Sequence, residues 1–116
     1  MTARQRAGAR AEDLAAAFLE ARGLAVIERN FRRRRGEVDI VARDGATLVF
    51  VEVRLRRRDD YGGAGASITA AKRARLIAAA QLYLARGGND RPCRFDAILM
   101  DALDASRIEW IRDAFS

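Results

Sequence analysis

Gly36-Glu37-Val38-Asp39-Ile40 and, thirteen residues beyond Asp39, Glu52-Val53-Arg54 are the stretches that decide how this chain folds. Both read as strands, in which residues two apart share a face. Glu37 and Asp39 then point one way from the first strand, and Glu52 and Arg54 share a face of the second. Asp44-Gly45 lies between them and is a hairpin signal. The hairpin gathers three carboxylates and one guanidinium beside the apolar run Leu48 to Val51. Carboxylates crowded against a core are costly unless a cation neutralises them. Oxygen ligands of this kind suit Mg²⁺ or Mn²⁺.

Parity constrains the hairpin further. Residues directly opposite in an antiparallel pair share a face, and their numbers sum to a constant. A loop of Asp44-Gly45 alone gives a sum of 89 and sets Glu37 opposite Glu52. A loop from Asp44 to Thr47 gives 91, with Asp39 facing Glu52 and Glu37 opposite Arg54. A three-residue loop gives 90 and divides Asp39 from Glu52 by the sheet. The expected sum is 91, because it places two ligands side by side and gives Glu37 a cationic neighbour.

Working outward, residues 8–22 read as a helix, with Leu14, Ala15, Phe18 and Leu19 as its apolar stripe and Gly23 as its stop. Residues 24–31 form a first strand, and 37–43 and 47–54 form the hairpin. A loop from Leu55 to Ser67 carries Gly62, Gly63 and Gly65. Thr69 caps a second helix that stops at Gly87-Gly88. Strands at 93–100 and 106–112 complete the order αβββαβ with a final strand. The expectation is a single α/β domain over residues 1–116, a central mixed sheet flanked by helices.

Half of the 116 residues are apolar, which excludes a disordered chain. The net charge of +6 is concentrated: Arg29, Arg32, Arg33, Arg34 and Arg35 precede the first motif, and Arg54, Arg56, Arg57 and Arg58 end the second. Such clusters are footprints of phosphate binding, the alternative being a solvated basic face. No amphipathic helix carries these arginines, so a membrane is not an expected partner. With no histidine, histidine bases, Ser-His-Asp triads and histidine metal sites are excluded. Cys93 is the only cysteine, which excludes an internal disulfide, and it is expected to pack as a small apolar residue at a strand start. The absence of a membrane-length apolar run and of a signal-peptide core points to a cytoplasmic protein.

Each charged residue has a plain reading beside the functional one. Glu12 sits near the edge of the first helix's apolar stripe, where it could reach a metal at the sheet margin or serve as a boundary glutamate. Glu37 fits an ion pair with the Arg32–Arg35 run. Asp39 is a poor strand former in mid-strand, and Glu52 interrupts the pattern of a doubly buried strand; both favour function. Lys72 and Arg73 open the second helix on the side of Leu76, Ala80 and Tyr83. Lys72 is the only lysine among 22 cationic side chains, a hint of a role that guanidinium cannot fill.

Glu37-Val38-Asp39 followed by Phe50-Val51-Glu52-Val53-Arg54 resembles the core of restriction-endonuclease-like nucleases, whose motif is D…(D/E)xK. More closely, the chain resembles the YraN family of small proteins, related to archaeal Holliday-junction resolvases. Nearly the whole chain takes part: Gly8 with Glu12, Gly36-Glu37-Val38-Asp39, Val49-Phe50-Val51-Glu52-Val53-Arg54, Tyr61-Gly62-Gly63, Lys72, Cys93-Arg94-Phe95-Asp96, and Glu109-Trp110-Ile111-Arg112-Asp113-Ala114-Phe115. The resemblance implies a restriction-endonuclease-like sheet, with Asp39 and Glu52 as Mg²⁺ or Mn²⁺ ligands and Arg54 in the place of the catalytic lysine. Glu12 would match the helix glutamate of the resolvases and act as a third ligand. Arg54 departs from the motif, because arginine can stabilise charge but cannot act as a base.

The function expected is metal-dependent hydrolysis of DNA phosphodiesters, branched DNA included. Asp39, Glu52, Arg54 and Glu12 would form the catalytic centre. Arg32, Arg33, Arg34, Arg35, Arg56, Arg57, Arg58, Lys72 and Arg73 would hold nucleic acid. The alternatives are a nucleic-acid-binding protein that keeps the fold without turnover, and a basic face docking an acidic protein. A homodimer is compatible with the sequence.

Overall fold

The structure is a computed structural model that describes residues 1–56, 68–87 and 91–115. Arg57, Arg58 and the Tyr61-Gly62-Gly63 motif lie outside the described residues. The elements are α1 (Ala3–Ala21), β1 (Ala25–Arg33), β2 (Gly36–Asp44), β3 (Thr47–Leu55), α2 (Ala70–Gly87), β4 (Cys93–Met100) and β5 (Ile108–Phe115). A 3₁₀ turn, Ala105–Arg107, precedes β5.

Local chemistry sets the ends of these elements. Thr2 and Gln5 form a capping box, each side chain accepting from the other's backbone N–H at 3.1 and 2.8 Å, so α1 begins five residues before the apolar stripe predicts. Gly23, at φ 92°, ends it in the left-handed conformation that favours glycine. The Thr69 hydroxyl accepts from the Lys72 N–H at 3.2 Å, as expected of the cap of α2. Asp104 caps the 3₁₀ turn, which delays β5 by two residues relative to the sequence reading.

The sheet runs in chain order, β1-β2-β3-β4-β5. All neighbours are antiparallel except β3 and β4, whose parallel pairing needs the crossover that contains α2. The sheet is therefore mixed, as expected, and α/β in class. Each face has its own core. Val49 and Val51 pack with Ile40, Ala42, Ile98 and the α1 residues Ala11, Ala15 and Leu19. Leu48 and Phe50 pack with Phe31, Val38, Val41 and the α2 residues Leu76, Ala79 and Ala80. A strand buried on both sides explains why β3 reads as a continuous apolar run. At Gly36, α2 comes so close that an added Cβ would lie 2.5 Å from the Arg75 carbonyl oxygen.

β2 pairs with β3 from Asp44↔Thr47 to Ile40↔Val51, and every pair sums to 91. The turn is tighter than the sequence predicts, with Gly45-Ala46 at its centre and Gly45 at φ 61°. Pairing stops at Ile40, so Glu37 does not reach Arg54; it lies opposite Arg32 of β1. Asn30 and Asp113, at φ 53° and 51°, bend the two edge strands. Strict alternation also fails in β2: Val38 joins the α2 core, whereas Ile40 and Ala42 join the α1 core. Cys93 does open β4, but its side chain is exposed rather than packed.

Candidate active site

β2 and β3 part at the end of the sheet opposite their turn, and Asp39 and Glu52 face each other there. Asp39 follows the last paired residue of β2, and its Oδ2 accepts from the Val53 N–H at 2.8 Å. A side chain thus takes over where the backbone ladder ends. The 91 register and the alternation of β3 put Glu52 and Arg54 on the α2 side with Leu48 and Phe50. Burial, a hydrogen bond to Asp39 and the Asp39 charge together push the Glu52 carboxyl up to about 9, against weaker opposition from Arg54 and Lys72. Near neutral pH Glu52 therefore keeps its proton.

Lys72 enters from the first turn of α2. Its ammonium is held below the usual lysine range, first by burial and then by the charges of Arg54 and Arg56, with Glu52 and Asp39 acting the other way. The sole lysine is thus within electrostatic reach of the carboxylate pair. Arg73, expected beside it on the packed side, is instead exposed.

Glu12 is buried on α1 with a raised pKa, caused chiefly by burial and opposed by Arg29. Its Oε1 accepts from Arg29 Nε and from Asn30 Nδ2, both at 2.9 Å. Asn30 lies between Arg29 and Phe31, whose partners Ile40 and Val38 bracket Asp39. Glu12 accordingly senses the Asp39 charge, but among the described residues no three Asp, Glu, His or Cys side chains gather closely enough to hold one metal ion. Asp39 and Glu52 are brought together; Glu12 stands behind them, held by β1. Arg29 and Asn30 escaped the sequence reading as site residues, because their role depends on the bend in β1 at Asn30.

The arginine clusters also resolve into positions. Arg32 lies 3.7 Å from Glu37, the ion pair the sequence predicts. Arg33 covers the Phe31 ring, and Arg34 and Arg35 are exposed in the β1–β2 turn. Arg54 and Arg56 leave the end of β3, where the Arg56 N–H donates to the Met100 carbonyl oxygen at 3.0 Å.

β4 carries a second acidic centre, within Cys93-Arg94-Phe95-Asp96. Asp96 of β4 is fully buried and accepts from Arg94 Nε at 3.0 Å, Trp110 Nε1 at 2.9 Å and the Asp113 N–H at 2.9 Å. Arg94 continues to Asp44 at 2.9 Å, joining β4 to the β2–β3 turn. Asp96 in Phe95-Asp96-Ala97-Ile98 was legible by the same signal as Glu52, a carboxylate interrupting an apolar strand.

The profile of the family described as Uncharacterised protein family UPF0102, the YraN family, matches residues 11–100. This chain belongs to UPF0102. A UPF0102 protein of Dechloromonas aromatica is 59% identical over 109 residues, covering 94% of this chain and 88% of the relative. A UPF0102 protein of Methylobacillus flagellatus is 58% identical over 106 residues, covering 91% and 93%, and one of Nitrosomonas europaea is 54% identical over 108, covering 93% and 92%. The UPF0102 match includes every element that builds the carboxylate pair. Among the described residues of this UPF0102 chain, no helix is long and apolar enough to cross a membrane.

Proposed function

We propose that this UPF0102 chain is a metal-dependent phosphodiester hydrolase acting on DNA. The observation that carries the reading is the Asp39–Glu52 pair, two carboxylates in hydrogen-bond contact just past the last paired rung, Ile40↔Val51, with Glu52 pushed up to about 9. The donor set fits a hard divalent cation, which would take the place of the Glu52 proton. Bound there, Mg²⁺ or Mn²⁺ would supply Lewis-acid charge and lower the pKa of a water.

The remaining work falls to side chains of this chain. Asp39, fixed by the Val53 N–H, keeps one carboxylate oxygen in register with Glu52. Arg54 offers a permanent positive charge to the phosphate in the transition state. Lys72 offers an ammonium that, unlike Arg54, can give up or take a proton, which answers the departure of Arg54 from the lysine motif. Arg32, Arg34, Arg35 and Arg56 would hold backbone phosphates without reading bases.

The test uses branched, flapped and linear DNA with Mn²⁺ or Mg²⁺. Wild type is expected to cleave, and Asp39→Ala to bind DNA without cleaving it. Without DNA, Mn²⁺ should raise the melting temperature of wild type but not of Glu52→Gln. Equal Mn²⁺ stabilisation in both proteins would remove the metal site. A salt-dependent DNA complex without cleavage in any metal would favour a binding protein over an enzyme.

A further inference from the structure

Residues 1–35 hold nine arginines against four carboxylates, a surplus of five within a net charge of +6. Arg4, Arg6 and Arg10 belong to this surplus but to none of the clusters discussed so far. All three lie in the first part of α1, where no residue is buried before Ala11. The segment is nonetheless a built helix, closed by the Thr2–Gln5 capping box. Ala3–Arg10 adds about 12 Å of helix without a buried residue, at roughly 1.5 Å per residue.

The topology fixes the direction of this overhang. The end of α1 leads through Leu24 to Ala25, which pairs with Arg43 near the β2–β3 turn. The beginning of α1 therefore projects from the opposite end, where Asp39 and Glu52 sit. Arg6 and Arg10, four apart, share a face of the helix. Beyond them Asp13 pairs with Arg29 of β1 at 2.6 Å, and Arg32 reaches Asn30 at 3.2 Å. Guanidiniums thus run from the overhang to the margin of the carboxylate pair. Residues 1–11 contain no carboxylate, and among the described residues none pairs with Arg4, Arg6 or Arg10. Cations in the first turns of a helix oppose its macrodipole, so this arrangement costs helix stability until an anion arrives.

We infer that the overhanging turns of α1 are an arm that grips the phosphate backbone of duplex nucleic acid beside the proposed cleavage site. Charge complementarity selects a polyanion. The arm has no aromatic residue on which bases could stack, which disfavours single strands and favours a duplex held by phosphates alone. Its length corresponds to about three to four base pairs at roughly 3.4 Å each. The inference rests on the nucleic-acid reading above and names the form of its substrate.

The test measures anisotropy of a labelled 20-base-pair duplex and a 20-nucleotide single strand across a salt series, in cleavage-deficient Asp39→Ala. The variant R4Q/R6Q/R10Q is added to that background. The substituted residues are exposed and Gln retains helix propensity, and circular dichroism checks that the fold is unchanged. Duplex affinity is expected to fall about 10- to 100-fold, and the salt slope to flatten by about 2–3, with a smaller change for the single strand. R4K/R6K/R10K should retain binding. An unchanged duplex slope with intact DNA binding would overturn the arm and leave the hydrolase reading standing. Loss equal for both strands would overturn the duplex assignment. Absence of DNA binding by the parent protein, or binding only to anionic vesicles or acidic polypeptides, would overturn both readings.

Discussion

The sheet carries two acidic centres on neighbouring rungs, Asp96 opposite Val51 and Glu52 opposite Ala97, and they differ in how their oxygens are satisfied. Asp96 accepts from a guanidinium, an indole and a backbone amide, so its charge is fully compensated in the fold. Asp39 and Glu52 face each other, and burial, then the hydrogen bond to Asp39 and the Asp39 charge, drive Glu52 up to about 9, while Asp39 accepts from one backbone N–H. A carboxylate surrounded by donors fastens strands together. Among the described residues, the Asp39–Glu52 pair is given fewer donors than Asp96. Burial alone does not separate the two cases, since the more buried centre is the structural one.

Breaking the satisfied centre should have the largest effect. Asp96→Ala leaves the Arg94 guanidinium partly buried without its main partner and is expected to cost about 3–5 kcal/mol. Chemical denaturation would read this, and a loss under about 1 kcal/mol would mean that Asp96 is not the fastening point.

Glu52→Gln should act in the opposite direction. The Glu52 carboxyl sits at about 9 in the fold against an ordinary 4.5, so the native state holds more protons than the unfolded chain between these values. Wild-type stability, measured in a chelating buffer, should fall as pH rises from about 4.5 towards 9. Glu52→Gln cannot ionise and should be more stable than wild type at pH 8 by roughly 2 kcal/mol. Parallel pH profiles for the two proteins would show that Glu52 ionises freely.

Asp39→Asn sharpens the contrast with the smallest change in stability, expected within about 1 kcal/mol, because the amide oxygen can still accept from Val53. It removes the neighbouring charge, so the Glu52 titration should move down from about 9 while staying above 4.5, since burial is the larger cause. NMR titration of the Glu52 carboxyl carbon would follow it, and an unmoved midpoint would uncouple the pair.

The fold was legible because the strong signals were local. Asp44-Gly45 marked the hairpin and parity left sums of 89 and 91, between which the placing of Asp39 beside Glu52 chose 91; Thr69 and Gly23 marked helix ends. Asp39 and Glu52 stood out as carboxylates where apolar or β-branched residues belong. What the sequence hid depends on departures from regularity. Pairing ends at Ile40, which deprived Glu37 of its expected place opposite Arg54. The bend at Asn30 turns an asparagine amide towards Glu12, and no periodic pattern encodes that. Arg73 was misplaced because an angle on a helical wheel does not say how far the packed face extends into the first turn.

The left-handed residues Asn30 and Asp113 also bear on how copies of the chain meet. β1 and β5 are the two open borders of the sheet, each with unpaired backbone groups available to another strand. Asn30 kinks one border among the charges of Glu28, Arg29, Arg32 and Arg33, and Asp113 kinks the other next to Arg112. Neither border offers the straight, uncharged template that lets sheets fuse edge to edge into fibrils. A chain rich in apolar β-strand is thus kept colloidally safe by two residues whose backbone turns the wrong way.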